Sequence, residues 1–373
     1  TAINAGTTEL ANTTGLLGSG PITLNGGTLR LPNAATFLSN SVIVSGSASI
    51  VSPYSGNSTI LNSTSATLGS TSSAMLNFSG VSGILSINGR MNGFSGTIFF
   101  GGSSGMLRLN SNSSGANDVN TGSGAAHFDL GSAGATLNNR NGDITIHLGA
   151  VSGGAATHLN GRQSGSGATS TTYIIGELGL STTFAGSIFH AGDLGGLHLI
   201  KTGAGTWNLT GFSSFTGTAT VEEGILAIGG STTTTGNAVV TNGAKLSLVA
   251  GSFGAESLTL QGGLSGHGTL AADLNSSGTV TGRGFAGGEP GTISIAGSAF
   301  FAGDSVLQLR AGATTDTIAV ANDLSLGGSL QVSIPATPGF GRYVLLTYGG
   351  ALSGNLALLP IPGTPLPVLL GLL

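Results

Sequence analysis

Proton-transfer, nucleophilic and metal chemistry all depend on a few residue types, and this chain carries few of them. Its 373 residues include 14 carboxylates, 6 histidines, 10 lysines and arginines and no cysteine. Side chains alternate along a strand, so Asp143, Thr145 and His147 would share one face of a strand over 143–147, and His127 and Asp129 one face of another. That spacing suits a metal ion, but polar residues scattered over the outside of a coil explain it more simply. Glu222 and Glu223 are neighbours and on a strand would face opposite sides, whereas glycosidic cleavage needs two carboxylates converging at about 5–9 Å. Gly101-Gly102-Ser103-Ser104-Gly105 has the lettering of a nucleophile elbow, and Gly282-Arg283-Gly284-Phe285-Ala286-Gly287 that of a dinucleotide loop. Both motifs need a following helix, and no helical period follows either. We read them as turns in a glycine-rich chain. The glycine-rich calcium nonapeptide is absent around Asp118 and elsewhere. The expectation is a chain without catalytic, cofactor-binding or metal-ligating residues, and not an enzyme.

Composition narrows the class. Glycine contributes 68 residues and charged side chains 6%, against about 7% and about 25% in an average protein. Hydrophobic residues make up 39% and the mean hydropathy is +0.35, which argues against disorder. The glycines follow no three-residue period and there are only 10 prolines, which excludes collagen. The lack of cysteine rules out a disulfide framework. The 10 basic residues are spread out, so no basic patch exists for a nucleic-acid backbone. What remains is an uncharged, turn-dense, all-β chain.

The elements that would position any site are clearest from Lys201 to Ile228. Trp207 and Leu209 point one way while Thr206, Asn208 and Thr210 point the other, and Gly211 closes the run. A second short strand opens at Thr218, and Gly224 turns the chain into a third, Ile225 to Ile228. Three short strands in under thirty residues, each closed by glycine, describe a coil of β-strand rather than a hairpin stack or a helix. Units of similar pattern occur at Pro21–Leu31 and Ala238–Leu248, each with an Asn-Gly turn. A further step recurs as Phe94-Ser95-Gly96, Phe184-Ala185-Gly186 and Phe215-Thr216-Gly217. Phenylalanines flanked by small residues read as core filling; the rival reading is an aromatic ladder for sugars.

The run Gly-x-Gly-Thr-Trp-x-Leu-x-Gly from Gly203, then Phe215-Thr216-Gly217-Thr218, then Glu223-Gly224-Ile225-Leu226, resembles the autotransporter-associated β-strand repeat. The match is close over 201–229, with fainter echoes along much of the chain. The resemblance implies a right-handed parallel β-helix, or β-solenoid, exposed outside the cell on a bacterial surface. It implies no reaction.

In organisation, residues 1–359 read as one continuous solenoid, with longer loops within 110–172, and 360–373 as a proline-spaced apolar tail. The run after Pro367 is far too short to cross a membrane as a helix. Ile3-Asn4-Ala5-Gly6 aligns with Val221-Glu222-Glu223-Gly224, so the chain starts mid-coil, as a processed product or an excerpt would. Unpaired coil ends are templates for pairing. Ile3, Leu366, Val368 and Leu369 are therefore the candidate residues for end-to-end association into a homo-oligomer or filament. The first expected function is an extracellular rod or fibre subunit. The second is an adhesin binding a glycan or host surface, and the third a polysaccharide-degrading β-helix. An exposed aromatic row would favour the second, and a cleft with two carboxylates the third.

Overall fold

The computed structural model describes residues 1–13, 17–63, 65–71, 73–109, 121–139, 143–161, 170–190, 196–285, 287–334 and 341–359. Among them every regular element is a strand, so none is a helix long and apolar enough to cross a membrane. All ladders are parallel: the chain is a parallel β-solenoid. Its contacts divide into two units, Thr1–Thr218 and Ala219–Leu373.

In the first unit each turn lays down short strands that pair with those one turn earlier. Ala2–Ile3, Ile22–Leu24, Val42–Val44, Thr67–Ser70 and Arg90–Gly93 form one five-stranded stack. Thr7–Glu9, Thr28–Arg30, Ser47–Val51, Met75–Ser79 and Thr97–Phe99 form the next. Phe37–Leu38, Asn57–Ile60, Ile84–Ile87, Met106–Leu109 and Thr136–Asn138 form a third. Alternation decides which side faces in. Ile22, Leu24, Leu29 and Leu31 are fully buried, while Thr23, Thr28 and Arg30 between and beside them are half-buried. Each such aliphatic side chain contributes about 1.5–3 kcal/mol by leaving water. The same inward type stacks coil on coil, as in Ile3 on Leu24 on Val44, so a register slip would turn a whole row outward. Corner side chains repeat this ladder. Asn25 Nδ2 donates to Asn4 Oδ1 at 2.6 Å across 21 residues, and Ser45 Oγ in turn bonds Asn25 Oδ1.

Four strands, Gly122–Asp129, Thr136–Asn138, Ile144–Ser152 and His158–Asn160, occupy much of 110–172, where longer loops were expected. Of the span 110–172, residues 110–120, 140–142 and 162–169 lie outside the described residues.

In the second unit the short strands Ala219–Val221, Ile225–Ile228, Ser231–Thr234 and Ala238–Val240 give way to longer ones. Lys245–Leu260 is a single strand of 16 residues and Gly263–Ser276 one of 14 residues. They pair along their lengths, from Lys245↔Gly263 to Leu260↔Ser276, with register shifts between Val249 and Ser252 and between Gly254 and Ser257. Short strands resume above them in three stacks. These are Thr279–Gly282, Val306–Arg310 and Ser329–Ser333; Thr292–Ile295, Thr317–Val320 and Leu346–Tyr348; and Ala299–Phe301, Leu324–Leu326 and Leu352–Gly354. Leu246, Phe253, Leu270, Ile293, Leu307, Ile318 and Leu330 fill the interior. On the last described turn the inward positions lose cover. Tyr348 is 38% exposed, whereas its partner Val320 one turn earlier is buried. Leu358 is likewise exposed above buried Leu330.

Candidate functional site

The residues singled out for chemistry end up apart; Asp143, His147 and His127 bond to a neighbouring turn and Asp129 to its own. Asp143 stands at a corner with φ 47°, ahead of the strand Ile144–Ser152, and its Oδ1 accepts from Ser170 N at 2.9 Å. Thr145 and His147 do share the outward face, and His147 Nδ1 meets Glu177 Oε2 at 2.9 Å. His127 and Asp129 also share a face. Asp129 Oδ1 accepts from Gly131 N, while His127 Nε2 lies 2.9 Å from Ser152 Oγ. Burial holds the His127 imidazole below the ordinary histidine value, against the upward pull of Asp129. A neutral imidazole on a serine hydroxyl has the lettering of a hydrolytic pair. The same contact recurs, however, between His158 Nδ1 and Ser187 Oγ at 2.7 Å and between His198 Nδ1 and Thr218 Oγ1 at 3.0 Å. Repeated three times on separate turns, it is a coil-to-coil ladder. No group of three metal-ligating side chains gathers among the described residues.

Glu222 and Glu223 lie beyond the strand Ala219–Val221 at a corner and are both exposed, so strand alternation does not apply to them. Ser103 is buried, its Oγ donating to Phe78 O and accepting from Val81 N at 3.1 Å each, which ties a turn. The loop lettered like a dinucleotide site does cradle an anion, but the anion belongs to the chain. Asp316 is 0% exposed. Its Oδ1 accepts from Gly284 N at 2.8 Å and Gly291 N at 3.1 Å, and its Oδ2 from Phe285 N and Arg310 N at 2.9 Å each. Successive backbone N–H groups form an anion-binding concavity, and here Asp316 fills it. Asp118 lies outside the described residues.

One place on the described surface gathers polar groups around an exposed ring. It is a shallow groove of about 320 Å³ over the outer face of the second unit, lined among others by Asp273, Asn275, Ser298, Phe300, Asp323 and Ser325. The register builds it. Leu274, Ala299, Leu324 and Leu352 stack as inward partners. The residues after them, Asn275, Phe300, Ser325 and Ser353, therefore stack outward in one row. The residues before them give a second row of Asp273, Ser298, Asp323 and Ala351. Asp273 Oδ1 accepts from Ser298 N, and Asp323 Oδ1 from Ala351 N, both at 2.7 Å. Phe300 is 50% exposed while Phe301 beside it is fully buried. The sequence held a signal for this face that periodicity alone did not single out. Asp273-Leu274-Asn275 and Asp323-Leu324-Ser325 are the same three-residue pattern two turns apart, and a Phe-Phe pair on an alternating strand must expose one ring.

The aromatic residues of the recurring step lie inside. Phe94, Phe184 and Phe215 are buried, with Gly96, Gly186 and Gly217 at the corners that follow. They close strands of three different stacks, so the shared position is local, a strand end before a corner, and not one column of rings. Trp207 is 1% exposed, packs against Phe184 at 6.3 Å between ring centroids, and donates from Nε1 to Val151 O at 3.2 Å. Leu209 is buried beside it, and Gly211 meets the backbone of Ala185 and Gly186. Gly224 and Gly6 have φ of 65° and 69° at the turns the sequence aligned, a conformation open to glycine. Residues 199–228 match the passenger-associated-transport-repeat. The match falls on the stretch whose lettering resembles the autotransporter repeat. No curated protein matches the chain. Within the passenger-associated-transport-repeat, Leu199, Trp207, Leu209, Phe215, Val221, Leu226 and Ile228 are buried, so its hydrophobic signature is a core signature. Lys201 is buried too, its Nζ donating to Thr202 O and Gly203 O at 2.7 Å. Of the residues proposed for end contacts, Ile3 faces inward and is buried, and Leu366, Val368 and Leu369 lie outside the described residues.

Proposed function

We propose that this chain is a non-enzymatic structural solenoid of passenger type, carried outside a bacterial cell, where copies join through their coil ends into a fibre. The repeat at 199–228 supports the passenger setting, because its description ties it to passengers and their transport. The observation that carries the structural role is the uncovered apolar rim of the last described turn. Val344 is 56% exposed, and Tyr348 and Leu358 stand open at positions that are buried one turn below. Strand backbone at the rim of a coil is a template on which another chain can add. His127, His147, His158, His198 and Asp143 bond to neighbouring turns, which suits a scaffold.

Electron microscopy of native material, with sedimentation at low and high concentration, tests this reading. Filaments, or a mass that rises with concentration, are expected. Val344→Asp with Tyr348→Asp should shift the population to single chains while the β-rich circular dichroism persists. Isolated particles at every concentration, unaffected by the double variant, would rule the reading out.

A further inference from the structure

We propose that the outer face of the second unit around Phe300 is a binding site for a neutral oligosaccharide, with Phe300 as the stacking plate and Asp273, Asn275, Asp323 and Ser325 as hydrogen-bonding partners. Four observations converge. First, the exposure of Phe300 is not the habit of its row. The partners at the same register are Asn275, Ser325 and Ser353, and the adjacent Phe301 is fully buried. A single exposed hydrophobe needs no explanation by itself. Here the ring is central to the groove, with polar partners on the turns before and after it.

Second, the lining has the chemistry of a polyol site. Amide, hydroxyl and carboxylate groups accept and donate hydrogen bonds to ring hydroxyls, and an aromatic face covers the apolar C–H face of a sugar. Asp273 and Asp323 each commit Oδ1 to a backbone N–H of the next turn. Among the described residues Oδ2 of each accepts from no protein donor and remains free for a ligand. The backbone bond also fixes the direction of the carboxylate, so orienting it costs little on binding.

Third, charge narrows the ligand class. Two carboxylates and no lysine or arginine line the groove, which disfavours sulfated, sialylated or phosphorylated ligands. Polar partners other than the two carboxylates are uncharged, which favours a hydroxyl-rich ligand over an amine. Fourth, size and repeat fit a short segment of a polymer. The groove volume of about 320 Å³ is at the lower end of ligand sites, and stacked strands repeat the polar row about every 4.8 Å. Asp273 and Asp323, two turns apart, stand about 10 Å from each other by that spacing. Both are exposed and engaged with backbone, and neither lies in the apolar pocket that a glycosidic general acid needs. The site is built to hold a glycan, not to cut one.

This inference goes beyond the structural reading and does not depend on it, since the groove belongs to the second unit whether or not chains join. The test is a printed array of neutral, sulfated and sialylated oligosaccharides probed with the whole chain. It is followed by titration calorimetry with the strongest neutral oligosaccharide and, separately, with spermidine. Binding restricted to neutral members is expected. Phe300→Ala should weaken it at least tenfold, Asn275→Ala severalfold, and Phe300→Trp should retain it. The melting temperature should be unchanged in all three variants, because both side chains face solvent. A blank over the neutral members, neutral binding that survives Phe300→Ala, or binding of spermidine in place of sugar would each overturn the proposal.

Discussion

At the level of single residues, aromatic burial was legible and polar partnering was not. A tryptophan alternating with leucine between threonines points to the core, and Trp207 is there, its indole N–H reaching Val151 O. Trp207→Ala should lower unfolding free energy by about 3–5 kcal/mol, and Trp207→Phe by less, chiefly the lost hydrogen bond and some volume. Urea titration checks both. Asp316 escaped the sequence reading because its four donors come from segments up to 32 residues away in the chain, a relation no local pattern encodes. Asp316→Ala should leave four backbone N–H groups without their acceptor and cost at least about 3 kcal/mol. Asp316→Asn should also destabilise, since its amide nitrogen would face N–H donors. A stability equal to the parent in both would refute the plug assignment. His127 sets a pH dependence. Its folded value lies below the ordinary histidine value of 6.5, with desolvation the larger cause and Asp129 opposing it. Below about pH 6.5 the unfolded chain therefore binds more protons, and stability must fall as pH falls towards the lowered folded value. Comparing urea midpoints at about pH 7.5 and about pH 5 should show this fall, and His127→Gln should reduce it.

At the level of elements, the short glycine-closed strands of 201–228 were readable because alternation and turn residues agree there. The recurring Phe-x-Gly step has a physical cause that sequence alone did not supply. A Cβ on Gly96 would lie 2.0 Å from Ala74 O, on Gly186 2.3 Å from Thr157 O, and on Gly217 2.2 Å from Leu197 O. Each step closes a buried strand with phenylalanine and then brings the corner backbone against the turn below, where no side chain fits. Gly96→Ala and Gly186→Ala should each cost about 1–3 kcal/mol by forcing the turns apart. Gly20→Ala, with open space at its Cβ position, should be close to neutral in the same melting experiment. Equal effects at all three sites would refute the close-approach account. The long strands Lys245–Leu260 and Gly263–Ser276 were not foreseen, because glycine was read as a strand terminator. They run on through Gly251, Gly254, Gly266 and Gly268, and at Gly251 and Gly268 the register shifts but the strands do not end. Glycine that permits a bend and glycine that ends a strand look alike in a sequence.

At the scale of the whole molecule, the all-β class follows from composition and repeat, and the parallel coil is what the family resemblance implied. Stability in such a fold is a sum of turns and of the interfaces between successive turns. A turn with neighbours on both sides should hold its amides more firmly than a turn with one. Within the second unit, Lys245–Leu260 pairs with strands before and after it, from Ile225–Ile228 to Gly263–Ser276. The last described turn, Leu346–Leu358, pairs with Ile318–Leu330 below it and leaves Tyr348 and Leu358 exposed. Hydrogen exchange followed by mass spectrometry should therefore find slow exchange over 245–260 and fast exchange over 346–358 in dilute protein, since local opening costs least where few neighbours must be broken. Self-association adds a second dependence. Joining another chain to this turn would give its strands a further partner, and binding stabilises whatever it buries in proportion to the logarithm of concentration. Protection over 346–358 should then rise with concentration while protection over 245–260 stays constant, and Val344→Asp with Tyr348→Asp should abolish that rise. Fast exchange over 346–358 at every concentration would mean that this edge takes no second copy. A molecule of that kind would act through the face around Phe300 rather than through its ends.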